Sequence, residues 1–438
     1  MDTFIQIAQL LLMLSILVIL HEFGHYITAK MFKVKVEKFY LFMDAGFALF
    51  KRRIGETEWG LGWLPLGGYV KLSGMIDESM DTEQLKSEPQ PWEFRSKPAW
   101  QRLVIMMGGI IVNILLAWCI FTVVYCTYGK KYVSTDVIQK DGLAFNATGK
   151  KVGFADGDRI LKADGKFQHN FNRMRLDILL GDEVVVERGG KPVTINLKDT
   201  DKSMLLEDLE FIQPIKVTNT TVDVVVQGSN AEKAGLKRGD VIVGVDGVAI
   251  TKLGQSNEFI QAKKNDSVTV NVLRNGKALA LHGLVSAEGT LGFKQLPTGL
   301  VVDRYGFFSA IPAAIQESYD LIIYNIKQFK LILRPSTGAY KQVTSVVGIA
   351  AKMPTQWDWE FFWNFTALFS IGLAFMNILP IPGLDGGHAI FTIAEMVTGR
   401  KLGDKAAGIV QTVGMVILLS LMALVFGKDI YQLIVNKV

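Results

Sequence analysis

Apolar residues gather in four stretches long enough to cross a bilayer, and a long mixed segment separates the second from the third. From Phe4 to Leu20 only Gln6, Gln9 and Ser15 interrupt the first run, which reaches the roughly 20 residues a hydrocarbon core demands once the positions up to Ile27 are added. The second covers Leu103 to Tyr128. The third covers Phe361 to Leu379, announced by Trp357, Trp359 and Trp363, aromatic residues of the sort that sit at a membrane interface. The fourth covers Ala406 to Phe426. Between them the pattern shifts to short alternating runs bounded by Gly, Asp and Asn, which read as strands and tight turns. The predicted fold is a multi-pass α-helical membrane protein with four transmembrane helices. A membrane-associated β-hairpin or sheet and two inserted β-rich α+β modules complete it.

The expected divisions follow from these changes of pattern. Residues 1–30 form the first span, 31–102 a membrane-associated β region and loop, and 103–128 the second span. Residues 129–214 and 215–300 form the two inserted modules, divided near Pro214. Residues 301–356 are an amphipathic helical segment, 357–388 the third span with the corner that follows it, and 389–438 a loop and the fourth span. Within 301–356, Ile311, Ile315, Tyr319, Ile322, Ile326, Phe329 and Leu333 recur at helical spacing. That stripe suits a helix lying on the membrane surface, or one packed in a core.

Charge sets the expected orientation. Twelve basic residues lie between Lys30 and Arg102, among them Lys51, Arg52, Arg53, Lys86 and Arg102, and Arg400, Lys401 and Lys405 fall between the last two spans. The positive-inside rule puts both segments in the cytoplasm and the residues from about Gly129 to Glu360 outside. The first run carries neither a basic leader nor a small-residue cleavage site, so a retained anchor is expected. At 438 residues, 49% hydrophobic and 20% charged, with a mean hydropathy of +0.26, the chain is too apolar for an ordinary soluble enzyme. A net charge of +5 calls for no nucleic acid partner. Cys119 and Cys126 lie seven apart within the second span, where small buried hydrophobes are expected rather than a disulfide.

The chemistry is concentrated at the bottom of the first span, in His21-Glu22-Phe23-Gly24-His25. Histidines four apart on a helix share a face and can grip one ion, while the intervening Glu22 can take a proton from water without binding the metal. Only five histidines occur in the chain, and an idle His-Glu-His trio inside an apolar helix would be desolvated for nothing. By the expected topology, the end of the third span reaches the same side. There Asn377-Ile-Leu-Pro-Ile-Pro-Gly-Leu-Asp385-Gly-Gly-His388 offers Asp385 as the third ligand, a zinc site of this kind leaving one position open.

These two motifs together resemble the site-2 protease family of intramembrane zinc peptidases, across essentially the whole chain. The resemblance implies one Zn2+ held by His21, His25 and Asp385, Glu22 as general base, and Asn377 as a group that steadies the substrate or its oxyanion. It also implies a membrane-associated sheet that offers an edge to substrate, with Gly46, Phe47 and Tyr69 as substrate-binding positions. The inserted segment carries an internal repeat, Gly157-Asp158-x-Ile160-x-x-x-Asp164-Gly165 echoed by Gly239-Asp240-x-Ile242-x-x-x-Asp246-Gly247, and resembles two PDZ modules. In the second copy, Gly289-Thr-Leu-Gly292-Phe293 resembles a PDZ carboxylate loop; the first has no obvious counterpart. The family implies a bacterial inner-membrane enzyme whose PDZ-like domains face the periplasm. Single-span membrane proteins of the anti-sigma factor type would be its substrates, or leftover signal peptides. An upstream periplasmic protease would act first, and membrane lipid would surround the enzyme. The rival expectation is a membrane-anchored PDZ adaptor with a non-catalytic metal site.

Overall fold

The computed structural model describes residues 2–65, 67–75, 88–215, 220–250, 255–400 and 403–435; Leu66, Lys86 and Lys401 fall outside them. Two compact units emerge: Met1–Gly129 with Arg304–Lys327 and Val343–Val438, and Lys130–Asp303 with Gln328–Gln342.

The chain opens with helix α1 (Asp2–Met31). Strands β1 (Val36–Leu41), β2 (Met43–Ile54), β3 (Thr57–Leu64) and β4 (Tyr69–Leu72) follow, in the sheet order β2-β3-β1-β4. Strand β1 runs parallel to β3 and antiparallel to β4, and β2 pairs back on β3 as a hairpin. Strand β2 is therefore an edge, and its Phe47, Leu49, Phe50 and Ile54 are exposed. Helix α2 (Ala99–Thr127) then packs on α1. Glycines set that crossing: a Cβ on Gly24 would lie 2.3 Å from the Gly108 carbonyl oxygen, and one on Gly108 2.5 Å from that of Gly24. Only residues without side chains let the two backbones approach this closely. Cys119 and Cys126 are unpaired, as expected, but both are exposed rather than buried. They lie on an outward face of α2, where a thiol is apolar enough to meet lipid.

The second unit begins with β5 (Lys130–Val133), α3 (Thr135–Ile138), β6 (Leu143–Phe145), α4 (Ala147–Val152), β7 (Arg159–Ala163), α5 (Phe171–Leu180), β8 (Glu183–Arg188), β9 (Lys191–Asn196), α6 (Asp199–Glu207) and β10 (Ile212–Pro214). It continues with β11 (Val222–Val225), α7 (Asn230–Lys233), β12 (Val241–Val245), β13 (Val248–Ala249), α8 (Gln255–Gln261), β14 (Ser267–Arg274), β15 (Lys277–Leu284), β16 (Phe293–Gln295) and β17 (Leu300–Asp303). The sequence repeat becomes a structural one. Strand β10 pairs antiparallel with β6 as β16 does with β11, and β7-β8-β9 corresponds to β12-β14-β15. Each copy buries its own apolar cluster, one around Leu143, Ile160, Ile178 and Phe211, the other around Val222, Ile242, Ile260 and Val270. The Asp-Gly pairs make two-residue turns with positive φ at both positions, 52° and 78° at Asp164-Gly165 and 48° and 78° at Asp246-Gly247, the twist that joins antiparallel strands. Where the second copy has its Gly289–Gly292 turn, the first carries helix α6. Strands β5 and β17 pair in register from Lys130↔Asp303 to Val133↔Leu300, so entry to and exit from the repeats lie side by side.

Both copies also share an ion pair that the repeat motif only half reveals. Arg188 donates from Nε and Nη2 to the two Asp158 oxygens at 2.7 and 2.6 Å, and Arg274 does the same to Asp240 at 2.7 Å each. Both carboxylates are buried, and each accepts a further backbone N–H, from Ala155 and Lys237. The Gly-Asp turn is thus locked to the last residue of β8 or β14.

The chain returns through α9 (Phe307–Ile332), α10 (Val346–Ala350), α11 (Trp359–Ile378), α12 (Asp385–Thr398) and α13 (Asp404–Val435). On α9 the small residues Ala310 and Ala314 face the cluster built from α2 and α11, whereas Phe308, Ile311, Ile315, Tyr319 and Ile326 are exposed. Those bulky side chains therefore look outward, whereas Ile322 of the same stripe packs against the cluster. Among the described residues, four helices are long and apolar enough to cross a membrane: Thr3–Met31, Ala99–Thr127, Trp359–Ile378 and Ala406–Gln432. The first half of the expected loop after 388 is instead α12. Its Gly386 and Gly387 sit inside the helix, because a Cβ on either would strike the Leu379 or Ile381 carbonyl oxygen at 2.1 and 2.6 Å.

The Asp240–Arg274 pair makes a stability prediction. Its hydrogen bonds from Arg274 hold the Asp240 carboxyl below the ordinary carboxylate range, so the pair stabilises the fold above about pH 4 and the gain is lost as pH falls through the depressed value. Asp240→Asn is expected to cost roughly 1–3 kcal/mol at pH 7. Hydrogen exchange at β12 and β14 should then quicken in the full-length variant, with native and variant converging in acid once the Asp240 carboxyl is protonated. Equal protection at pH 7 would contradict the assignment.

Candidate metal centre

Helix α1 carries His21, Glu22 and His25 through an apolar interior, all buried. Their four-residue spacing turns both imidazoles to one side, with ring centroids 4.9 Å apart. Helix α11 ends in Asn377 and Ile378, and the Pro380–Pro382 corner delivers the chain into α12, whose first residue is Asp385. Asp385 Oδ2 lies 3.2 Å from both His21 Nε2 and His25 Nε2, and these two nitrogens are 3.4 Å from each other.

Three observations test whether a metal fits. The donors are two imidazole nitrogens and one carboxylate oxygen, all within 4.8 Å of one another. A tetrahedron with arms of 2.0–2.1 Å has edges of about 3.3–3.4 Å, close to the three separations found. Asp385 Oδ2 is buried and accepts no hydrogen bond of acceptable geometry, a costly state for a carboxylate without a cation. The rings are also held from behind. His25 Nδ1 lies 2.9 Å from the Ile105 carbonyl oxygen, so it carries the proton and leaves Nε2 bare toward Asp385. The residues present fit a zinc ion.

The remaining site positions divide. Glu22 follows His21 on the adjoining face, and its Cγ is 3.4 Å from where a Cβ on Gly68 would sit, just before β4. Asn377 Nδ2 stands 3.0 Å from His21 Nε2, on the Asp385 side of the ring. Gly46 and Phe47 lie in a bulged part of β2, Phe47 exposed and stacked on Trp63 with centroids 5.7 Å apart. Tyr69 is 6% exposed, stacks on Tyr40, and donates from its hydroxyl to Asp44 Oδ1 at 3.1 Å.

Several residues that shape the centre carry no obvious mark in the sequence. A Cβ on Gly109 would lie 2.5 Å from both His21 Cε1 and His25 Nε2, so this helix position must be glycine for both rings to fit. Arg102, on α2, donates to Glu395 Oε1 at 2.5 Å and fastens α12, hence Asp385, to the helix behind the histidines. His388 Nε2, one turn beyond Asp385, is 2.7 Å from Gln411 Nε2 of α13. Only the Gly108-Gly109 pair and the intramembrane polar residues hinted at any of this.

The sequence profile of peptidase family M50 matches residues 9–421. A protein of Xylella fastidiosa (strain 9a5c), provisionally named a zinc metalloprotease, is 30% identical over 98% of this chain and 99% of its own length. The regulator of sigma-E protease RseP of Escherichia coli (strain K12) is 28% identical over 98% of each chain. Its namesake in Salmonella typhimurium (strain 14028s / SGSC 2262) is 27% identical over the same shares. With a profile match over most of its length and relatives that align end to end, the chain belongs to peptidase family M50 and is a membrane-embedded metalloprotease of the site-2 type.

Proposed function

We propose that the protein is an intramembrane zinc endopeptidase that cuts single-span membrane proteins within their transmembrane segments. The observation that carries this reading is the His21, His25 and Asp385 donor set, spaced at 3.2–3.4 Å, with both histidines on a helix long enough to span a bilayer. One bound Zn2+ supplies a Lewis acid that makes a water acidic and polarises the scissile carbonyl. Glu22 accepts the proton of the attacking water and returns it to the leaving amine. Asn377 donates its amide N–H to the substrate carbonyl or to the negative charge that develops there. A helical peptide must unwind to present its bond, and its freed N–H and C=O groups then need partners inside the membrane. Edge strand β2, with Gly46 and Phe47, offers them; Tyr69 acts at one remove, by fixing Asp44.

The two repeats act as PDZ-like modules on the periplasmic side of a bacterial inner membrane, the metal centre lying toward the cytoplasm; the basic segments flanking the spans support that orientation. Two relatives are named for regulating sigma-E. That supports an anti-sigma factor, trimmed beforehand by a periplasmic protease, as cargo here, with remnant signal peptides as a second class. The modules serve as a size filter that excludes untrimmed substrate.

Glu22→Gln should lower cleavage of a reconstituted single-span substrate by about 10²–10⁴-fold while zinc content and substrate capture persist. Native-rate cleavage would instead favour an adaptor whose metal is structural. Excision of residues 134–299, across the point where Val133 and Leu300 pair, should let the enzyme cut full-length substrate without prior trimming. Continued resistance of that substrate would remove the size filter from the account.

A further inference from the structure

Helix α2 forms the back wall of the metal centre, and three of its residues on one face do distinct things there. The Ile105 carbonyl takes the Nδ1 side of His25, Gly109 makes room for both rings, and Asn113 faces His21. Asn113 is fully buried, with Nδ2 3.1 Å from His21 Nδ1 and Oδ1 without any hydrogen-bond partner. Its backbone carbonyl accepts a hydrogen bond from the buried Ser370 hydroxyl of α11 at 2.7 Å, which fixes its place against the ring.

We propose that Asn113 is the positioning residue that sets the tautomer of His21 for metal binding. This rests on the zinc reading given above. His21 can ligate through Nε2, the atom facing Asp385 and His25, only if its proton is on Nδ1. A proton on Nδ1 needs an acceptor in a buried apolar place. The amide meets that need by turning about its Cβ–Cγ axis, which exchanges Nδ2 for the partnerless Oδ1 at the same 3.1 Å position. Nδ1–H then donates to Oδ1, and Nε2 keeps its lone pair for the ion. Without an acceptor at 113, the proton moves to Nε2, where Asp385 Oδ2 can take it and the ligand position is blocked. The arrangement mirrors His25, whose acceptor is the Ile105 carbonyl; the two ligands are thus oriented from one helix, one by backbone and one by a side chain. Asn377 cannot replace Asn113, because it stands at the Nε2 side of the ring.

The test measures zinc affinity of the full-length protein in detergent, by competition with a chromophoric chelator, and the visible spectrum of the Co2+-substituted protein. Asn113→Leu, of similar shape, should weaken zinc binding by about 10–100-fold and shift the cobalt ligand-field bands. Asn113→Asp, which keeps an acceptor, should bind within about threefold of native or tighter. If the Leu variant does not fold, Asn113→Ala is held to the same expectation. Native-like affinity in the Leu or Ala variant overturns the proposal, and so does an Asp variant that loses as much as Leu. A native protein that binds no zinc would sink the metal reading itself, a result distinguishable from either.

Discussion

Two imidazoles and a carboxylate held 3.2–3.4 Å apart inside an apolar bundle are the constraint to which the rest of the membrane unit answers. Burying such groups without a cation would cost several kcal/mol each. Bringing them together requires helices closer than ordinary side chains allow. Glycine meets that requirement three times. Gly24 and Gly108 let α1 touch α2, Gly109 leaves space for the rings, and Gly386 and Gly387 let α12 start against the carbonyls that precede it. The Arg102–Glu395 pair then fixes the carboxylate-bearing helix to the wall behind the histidines. Metal chemistry and close helix packing are therefore one problem in this protein, solved by the same few residues.

The reactive groups were legible because each carries a local signature. His21-Glu22-x-x-His25 has a spacing with a mechanism, and Asp385 follows a proline-broken stretch at the matching end of another span. The four long helices were legible from hydrophobicity alone. What escaped was what only distance in the chain creates. Asn113 meets His21 across 92 positions and Arg102 meets Glu395 across 293, and no local pattern announces such pairs. Gly386-Gly387 has its reason only in the fold, where it serves the close approach of α12 to the carbonyls that precede it. Tyr69 closes against Tyr40 and Asp44, contacts that only the fold creates.

The inserted repeats show the complementary case. Their Gly-Asp and Asp-Gly turns were readable because positive φ leaves few residue choices. The arginine that completes each copy lies 30 or 34 residues further on and looked like any surface charge. Duplication makes its role plain, since two copies that diverged elsewhere keep the same forked ion pair. They differ most between their last two strands, where the first copy holds α6 and the second a glycine turn.

The central claim is that one zinc ion joins the opening span to the corner after the third. X-ray absorption at the zinc edge, on native protein and on Asp385→Ala, addresses it directly. Native protein should hold about one zinc per chain, with two imidazole nitrogens and a carboxylate oxygen at about 2.0–2.2 Å, and the variant should lose the oxygen ligand with most of the metal. Full zinc content and an unchanged ligand shell in Asp385→Ala would contradict it.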